Sequence, residues 1–321
     1  MNHLSYFEAI VMGVIQGISE LFPISSLGHS ILIPALIGGQ WGRDLNVAAP
    51  ESPYLAFIVG LHVATALALL LFFWRDWMNI IIGFYTSLRH RRISNAGERM
   101  AWLLVLATIP IGISGLLLEK LFRTVLGQPL PAAAFLVANG GLLFLGEWLR
   151  KRRQDTPRPH GQHATVDTAT RSENGGEATG LAAGRQALTI SDARISGMSY
   201  RKGILIGASQ TFALLPGISR SGVAMVSGMA AGLTHREAAR FSFLLATPVI
   251  FAAGLLKLPD LFGPLGAGIG GQVLAGSAAS FVAALLSVAF LDRYFTTKTL
   301  IPFAVYCTLA GLAAFVILVV R

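Results

Sequence analysis

The sequence predicts an all-α membrane protein that crosses the bilayer several times, on the basis of three observations. Of its 321 residues, 54% are hydrophobic and only 13% are charged, with a mean hydropathy of +0.63. A soluble domain typically carries about a quarter charged residues. Several apolar runs reach ~20 residues, the length that crosses a bilayer as a helix. The third observation is an internal repeat that divides the chain into two halves.

The net charge of +9 does not indicate nucleic-acid binding, because Lys and Arg lie in the loops between apolar runs. That distribution is what the positive-inside rule produces, so the basic loops 89–99 and 150–202 are predicted to be cytoplasmic. Cys307 is the single cysteine, which excludes a disulfide framework or a thiolate metal site.

Residues 16–28 and 210–222 are two copies of one motif, aligned without a gap at an offset of 194 residues. The identical positions include Gln16 with Gln210, Ser25 with Ser219, Gly28 with Gly222 and, upstream, Gly13 with Gly207. Elsewhere the copies are complementary, since the first contributes Glu20, Ser26 and His29 and the second contributes Arg220. Proline ends the preceding helix and glycine tolerates left-handed backbone. Each copy is therefore predicted to be the break of a re-entrant hairpin, at 4–39 and at 203–233.

Three predicted membrane helices follow each hairpin. They are 53–73, 100–118 and 130–148 in the first half (1–149), and 240–258, 272–291 and 299–320 in the second half (203–321). Segment 150–202 is rich in Gly, Ser, Thr, Arg and Asp without an apolar period, which is typical of a hydrophilic linker. With both basic loops inside, the first hairpin enters from outside and the second from inside. The halves are thus predicted to be inverted repeats whose breaks meet near the midplane.

The two breaks contain the residues best suited to chemistry. An arginine near the middle of a bilayer costs at least ~2.5–3.5 kcal/mol, so Arg220 is expected to have a specific role. Its guanidinium, the hydroxyls of Ser219 and Ser221, and the start of a new helix together suit a phosphate group. Gln16 and Glu20 are four residues apart and share a helix face before the first break.

Structural roles remain open for several of these side chains. The serines at both breaks could cap half-helices, and Gln16 and Gln210 could link helices. An intramembrane carboxylate such as Glu20 is functional by default. His29 could be a packed core histidine, or it could take a proton from a serine or a water. His62 is interpreted as a helix–helix contact, and no role is assigned to Glu8, Asn139 or Glu147.

These motifs resemble one known family. The stretch Gln16-Gly-Ile-Ser-Glu20-Leu-Phe-Pro23-Ile-Ser25-Ser26-Leu-Gly28-His29, with Pro216-Gly-Ile-Ser-Arg-Ser-Gly222, looks like the bacterial undecaprenyl-diphosphate phosphatases linked to bacitracin resistance. The similarity covers nearly the whole chain except 150–200. It implies a phosphatase of the bacterial cell membrane that releases phosphate from undecaprenyl diphosphate and regenerates the carrier lipid for peptidoglycan synthesis. It also implies a divalent cation (Mg²⁺ or Ca²⁺) and a site open to the outer face.

The resemblance also assigns roles to individual residues. The family's acidic motif falls on Gln16 and Glu20, its essential histidine on His29, its serine–arginine pair on Ser219 and Arg220, and its proposed nucleophile on Ser26. The predicted catalytic set is therefore Glu20, Ser26, His29, Ser219 and Arg220. From the residues of the two breaks we add Glu20 as the cation ligand and a substrate-binding set of Gln16, Ser25, Gln210, Gly217 and Ser221. Two positions depart from the family pattern. Gln16 replaces an acid, which leaves Glu20 as the one acid there, and Ala224 stands where many members have a threonine.

The predicted mechanism has Arg220 and the N–H groups after Ser219 hold the diphosphate, while Ser26 or a water attacks with His29 as the base. The competing class is transport, because a lipid-phosphate flippase would share the inverted-repeat architecture. A structural scaffold is a third reading, but it leaves Arg220 and Glu20 unexplained. The expected partners are the lipid substrate and the membrane, without nucleic acid, and the sequence leaves a homo-oligomer open.

Overall fold

A computed structural model describes residues 4–45, 53–155, 193–263 and 268–321, which form helices without a strand among them. In chain order the helices are α1 (Tyr6–Ser19), α2 (Ser26–Ile37), α3 (Gly39–Asp44), α4 (Pro53–Phe72), α5 (Trp74–His90), α6 (Ala96–Leu126), α7 (Pro129–Asp155), α8 (Tyr200–Ser209), α9 (Arg220–Ala230), α10 (His235–Phe262), α11 (Gly270–Tyr294) and α12 (Ile301–Val320). A 3₁₀ turn, Gln210–Leu214, follows α8 directly. The prediction of an all-helical protein is confirmed for these residues.

Five helices in the described part are long and apolar enough to cross a membrane, and they belong to α6, α7, α10, α11 and α12. A sixth candidate consists of Phe57–Phe72 and Trp74–His90, which meet at a bend of 86°. The crossing predicted at 53–73 corresponds to α4, which is a candidate membrane span only when it is counted together with α5. Helices α1 and α2 are apolar but have 14 and 12 residues, too few to cross alone.

Two helices run past their predicted ends. Helix α6 continues to Leu126 and α7 to Asp155, beyond the expected limits at 118 and 148. The added residues are mostly Leu, Glu, Lys, Arg and Gln, which favour a helix even where they do not form an apolar run. Each helix therefore continues beyond the end of its apolar run. Most of the predicted linker, 156–192, lies outside the described residues.

Ion pairs and hydrogen bonds join several helix ends at one end of the bundle, called the basic end here. The contacts are Arg240–Asp76, Arg236–Asp292, Arg194–Glu237, His235–Glu147, Glu147 with the Leu300 N–H, and Arg99 with the Met198 carbonyl. They bring the starts of α5, α6, α8, α10 and α12 together with the ends of α7 and α11. Most of the exposed Arg and Lys side chains of the described residues lie at this end.

The opposite end holds the start of α1 and the ends of α2 and α12. Phe7 packs on Trp41 of α3 with ring centroids 6.2 Å apart. Arg321 donates to the Leu36 carbonyl at 2.7 Å. Helix α8 begins at the basic end, and α1 therefore begins at the opposite end.

Each hairpin's first helix packs on a long helix of the other half: α1 lies on α11, and α8 lies on α6. Glycine permits both close approaches. A Cβ on Gly13 would clash with the backbone of Gly276, and one on Gly207 would clash with the backbone of Ala107. These contacts position the two breaks, which both face α7.

Candidate active site

The two breaks touch each other. The Ser25 hydroxyl accepts hydrogen bonds from the Gly28 N–H of its own helix and from the Gly217 N–H of the other break, each at 3.2 Å. A Cβ on Gly28 would lie 2.9 Å from the Gly217 Cα, so glycine is required for the contact. Ser25 has φ 71°, a left-handed conformation that costs energy outside glycine and often marks functional sites.

Asn139 of α7 links the two breaks from the side. Its Nδ2 donates to the Pro23 carbonyl and its Oδ1 accepts from the Ser219 N–H, both at 2.9 Å. The side chain is fully buried, so each bond satisfies a backbone group that has lost its helical partner. Asn139 therefore fixes the relative position of the two motifs.

Glu20 is the centre of the polar cluster between the breaks. Its Oε1 accepts from Arg220 Nη2 at 2.5 Å. Its Oε2 accepts from the Ser26 hydroxyl at 2.5 Å and from Gln16 Nε2 at 3.0 Å, and His62 Nε2 lies 3.5 Å away. Glu20 is 7% exposed, so these partners replace the water that a carboxylate requires. One carboxylate thus joins residues from both motifs and from α4.

Arg220 extends the cluster toward α10. Its Nη1 donates to the Ala246 carbonyl at 3.1 Å, while Nη2 binds Glu20. Two anchored nitrogens hold the guanidinium plane beside the start of α9, which Ser219 caps by accepting from the Gly222 N–H at 3.1 Å. A fixed guanidinium next to the positive end of a helix is suited to binding an anion.

The Ser26 hydroxyl and Glu20 together form a nucleophile with a proton acceptor. A serine hydroxyl becomes a better nucleophile when a neighbouring base takes its proton. Ser26 donates to a carboxylate that is held in place by Gln16, His62 and Arg220. The cluster can therefore bind a phosphoryl group and present an activated oxygen to it.

His29 lies beside this cluster and has other partners. Its Nδ1 donates to the Ser25 carbonyl at 2.7 Å, so its Nε2 accepts from the Tyr306 hydroxyl at 2.8 Å. The imidazole and phenol rings are nearly parallel, 9° apart in plane. Both ring nitrogens are thus engaged away from Ser26, and a role for His29 as the base stays a prediction that requires Tyr306 to move.

The remaining predicted residues form the frame of the site. The Ser219 and Ser221 hydroxyls lie 3.0 Å apart, and Ser221 donates to the Phe22 carbonyl at 3.3 Å. Gln210 is buried in the 3₁₀ turn, and its Nε2 has no hydrogen-bond partner within the described ranges. The structure therefore brings Gln16, Glu20, Ser26 and Arg220 together, but does not connect Gln210 to them by a hydrogen bond.

A divalent cation would find few protein ligands here. Within the described residues there is no group of three or more His, Cys, Asp or Glu side chains that could hold a metal. The available donors are the Glu20 carboxylate and the buried Gln16 Oε1, which has no partner in the described part of the chain. Mg²⁺ commonly binds one or two carboxylates and completes its shell with substrate phosphate oxygens. The donor set fits a cation that arrives with a phosphorylated substrate.

The family model of the bacitracin resistance protein BacA matches residues 9–313, nearly the whole chain. The chain belongs to the BacA family. The undecaprenyl-diphosphatase of Mycolicibacterium paratuberculosis is 59% identical over 319 residues, with 99% of each chain covered. Undecaprenyl-diphosphatase 2 of Frankia alni is 53% identical, with 97% of each covered, and undecaprenyl-diphosphatase 1 of Burkholderia pseudomallei is 39% identical, with 96% and 95% covered.

The sequence missed three residues of this BacA-family site. The predicted helix–helix contact of His62 joins α4 to Glu20 at the end of α1: its Nε2 lies 3.5 Å from the carboxylate, and its Nδ1 donates to the Ile58 carbonyl at 2.9 Å. The sequence does not predict that this contact lies in the site. No role for Asn139 or Tyr306 follows from the sequence. The available signal was that His62 and Asn139 are polar residues within long apolar runs, where such residues usually have a partner. Which partner they meet depends on the packing of distant helices.

Proposed function

We propose that this chain hydrolyses undecaprenyl diphosphate to undecaprenyl phosphate and inorganic phosphate. It thereby returns the carrier lipid to peptidoglycan synthesis and confers resistance to bacitracin. One observation carries the proposal: Glu20 binds both Arg220 and Ser26 at the contact of the two breaks. The relatives of this BacA-family chain, named undecaprenyl-diphosphatases, support the same activity.

In the proposed reaction, Arg220 and the first N–H groups of α9 hold the terminal phosphate of the substrate. The Ser26 oxygen forms a bond to the terminal phosphorus as the anhydride bond breaks, and undecaprenyl phosphate leaves. Glu20 takes the hydroxyl proton, since it accepts from Ser26 at 2.5 Å whereas His29 is bonded elsewhere. Water then attacks the phosphorus of the phosphoserine, the bond to the Ser26 oxygen breaks, and the proton held by Glu20 returns to that oxygen as inorganic phosphate leaves. Phosphoryl transfer relies mainly on positioning and charge stabilisation, which this cluster supplies.

A water that attacks directly is the alternative to Ser26 as the nucleophile. In that case Ser26 would orient the water, and Glu20 would still accept a proton. Acid quenching during turnover with substrate labelled at the terminal phosphate separates the two. A labelled phosphoserine at residue 26 supports the covalent route, and its absence at full turnover favours water.

The proposed site also includes a divalent cation, Mg²⁺ or Ca²⁺, held by Glu20 with Gln16 Oε1. When bound, the cation would offset the charge of the diphosphate. Gln16 also donates to Glu20 through its Nε2 at 3.0 Å, so the amide could keep the carboxylate oriented while its other end faces the cation.

The inverted-repeat architecture is part of the proposal. Equivalent positions make equivalent contacts: Ser25 caps α2 through Gly28, and Ser219 caps α9 through Gly222. The packing of α1 on α11 is matched by that of α8 on α6, and the two hairpins begin at opposite ends of the bundle. Each of these relations is expected of two halves related by a two-fold axis in the membrane plane.

The basic end is proposed to be cytoplasmic, following the positive-inside rule. From the family resemblance we further propose that the site opens to the outer face of the bacterial cell membrane.

Phosphate release by purified protein in detergent tests the proposed reaction against a flippase, because no vectorial transport occurs in a micelle. Equimolar undecaprenyl phosphate and inorganic phosphate are expected. Binding of the lipid diphosphate without hydrolysis would favour the transporter reading.

A further inference from the structure

Helix α5 carries a continuous apolar stripe on its outer face. Its members are each about half exposed or more: Trp74, Met78, Ile81, Ile82, Tyr85 and Leu88. The spacing of three and four residues places them on one side of the helix. An exposed stripe of this size requires a non-aqueous environment.

The opposite face of α5 carries several polar side chains. It lines a cavity of about 550 Å³ between α5 and α6, with Asn79, Thr86 and His90 among the lining residues. Arg92 lines the same cavity from the loop after α5. Ile80, Ile82 and Gly83 line the cavity as well, so this side of α5 combines polar and apolar contacts with the bundle.

The orientation of α5 follows from its join to α4. The two helices meet at 86°, and α4 packs on α10 and α11. An α4 aligned with these two candidate crossings therefore places α5 along the membrane plane. Asp76 at its start pairs with Arg240 of α10. Near its end, Ser87 accepts from Trp102 Nε1 of α6 at 2.9 Å. Both ends of α5 are thus fixed at the basic end of the bundle.

The surface around the end of α5 is strongly basic. Arg89, His90, Arg91 and Arg92 are consecutive and exposed. Arg201 and Lys202 lie on the same side, because Arg99 of α6 contacts the Met198 carbonyl and the Tyr200 ring. The nearby acids are engaged: Asp76 with Arg240, and Glu98 with the Ser94 N–H at 2.6 Å and the Thr86 hydroxyl at 3.0 Å.

We propose that α5 is an in-plane membrane anchor that binds anionic phospholipids. The apolar stripe lies among the acyl chains of the leaflet at the basic end, and Arg89, Arg91 and Arg92 contact the lipid phosphates. Trp74 and Tyr85 fit this depth, since both residue types favour the boundary between headgroups and acyl chains. The stripe continues onto exposed Leu67 and Leu71 of α4, which favours lipid over a protein partner as its occupant.

Depth measurements on the full-length protein in vesicles test the in-plane position. Single cysteines replace Met78 or Leu88 in a Cys307→Ser background, carry a fluorophore, and are quenched by phospholipids with nitroxides at different depths. The ten residue steps from 78 to 88 span ~15 Å along a helix. An in-plane α5 gives two depths that agree within ~5 Å, or one helical turn. A difference near 15 Å means that α5 crosses the membrane, and absence of lipid quenching means that protein covers the stripe; either result overturns the proposal.

Lipid selectivity is measured with the same fluorophore at residue 88, as the ratio of quenching by brominated phosphatidylglycerol and brominated phosphatidylcholine. Each arginine near an anionic surface contributes about 5-fold in association. The ratio should exceed one in the parent protein and fall close to one in Arg89→Gln/Arg91→Gln/Arg92→Gln.

The matched control, Lys151→Gln/Arg293→Gln/Lys298→Gln, removes the same charge at the same end of the bundle but away from α5. It should keep the parent ratio. A ratio near one in the parent, or equal losses in both triple variants, would refute a specific lipid-binding role for α5.

Discussion

Replacing Arg220 by lysine separates a phosphate-binding role from a structural one. Lysine keeps the positive charge but has a single ammonium in place of two fixed nitrogens. In the structure these nitrogens bind Glu20 at 2.5 Å and the Ala246 carbonyl at 3.1 Å. A lysine can remain near Glu20, but it cannot hold the same plane toward a phosphate at the start of α9.

The expected magnitudes differ between activity and stability. Loss of one preorganised donor lowers turnover by ~10²–10³-fold, so Arg220→Lys should fall in this range while it stays folded. Arg220→Ala leaves Glu20 buried without its cation, and breaking a buried pair costs ~3–5 kcal/mol. Adding Glu20→Gln to Arg220→Ala should recover much of that stability without restoring activity.

The assay is phosphate release from undecaprenyl diphosphate in detergent, with thermal unfolding of each variant measured in parallel. Arg236→Lys is the matched control, because Arg236 also pairs with a carboxylate, Asp292 at 3.0 Å, but at the basic end. It should retain near wild-type turnover. A folded Arg220→Lys protein that also turns over at the wild-type rate would refute the phosphate-binding role and leave Arg220 as a structural partner of Glu20.

Three further variants or labels test other contacts. His62→Leu removes the imidazole whose Nε2 lies 3.5 Å from the Glu20 carboxylate. It should lower kcat more than His62→Gln, whose amide can still donate a hydrogen bond to Glu20. Equal kcat values for the two variants would exclude a hydrogen-bonding role for His62. Asn139→Ala leaves the Ser219 N–H and the Pro23 carbonyl without their hydrogen-bond partner. Each unpaired buried group lowers stability by ~1–3 kcal/mol, so the unfolding temperature in detergent should fall clearly. An unchanged unfolding temperature would show that Asn139 does not join the breaks. In Cys307→Ser, a cysteine at Ser94 should be protected from an impermeant reagent in intact cells and one at Gln128 should be labelled; the reverse pattern would invert the topology.

The sequence predicted the helical membrane class and the location of the breaks because both depend on local chemistry. A run of ~20 apolar residues indicates a membrane crossing, and a proline next to serines indicates a break in a helix, whatever the rest of the chain does. Helix ends were less predictable: charged helix formers carry α6 and α7 past the apolar region.

The hydrogen-bond partners within the site could not be predicted from the sequence. Spacing placed Gln16 beside Glu20, and the repeat suggested that the breaks approach each other. However, the partner of Ser26 is Glu20, not His29, because α2 turns the His29 ring toward Tyr306, which is 277 residues away. His62 and Asn139 join the site through the packing of α4 and α7, which no local pattern encodes.

The central claim is that the Glu20 cluster hydrolyses a lipid diphosphate, and phosphate release by purified wild-type protein and Glu20→Gln in detergent tests it most directly. The variant keeps the size of the side chain but removes the charge that Arg220 binds and the base that Ser26 faces. The wild type should release one phosphate for each undecaprenyl phosphate formed, and folded Glu20→Gln should lose at least ~10²-fold in rate. Equal rates for both proteins, or no phosphate release from the folded wild type, would contradict this account.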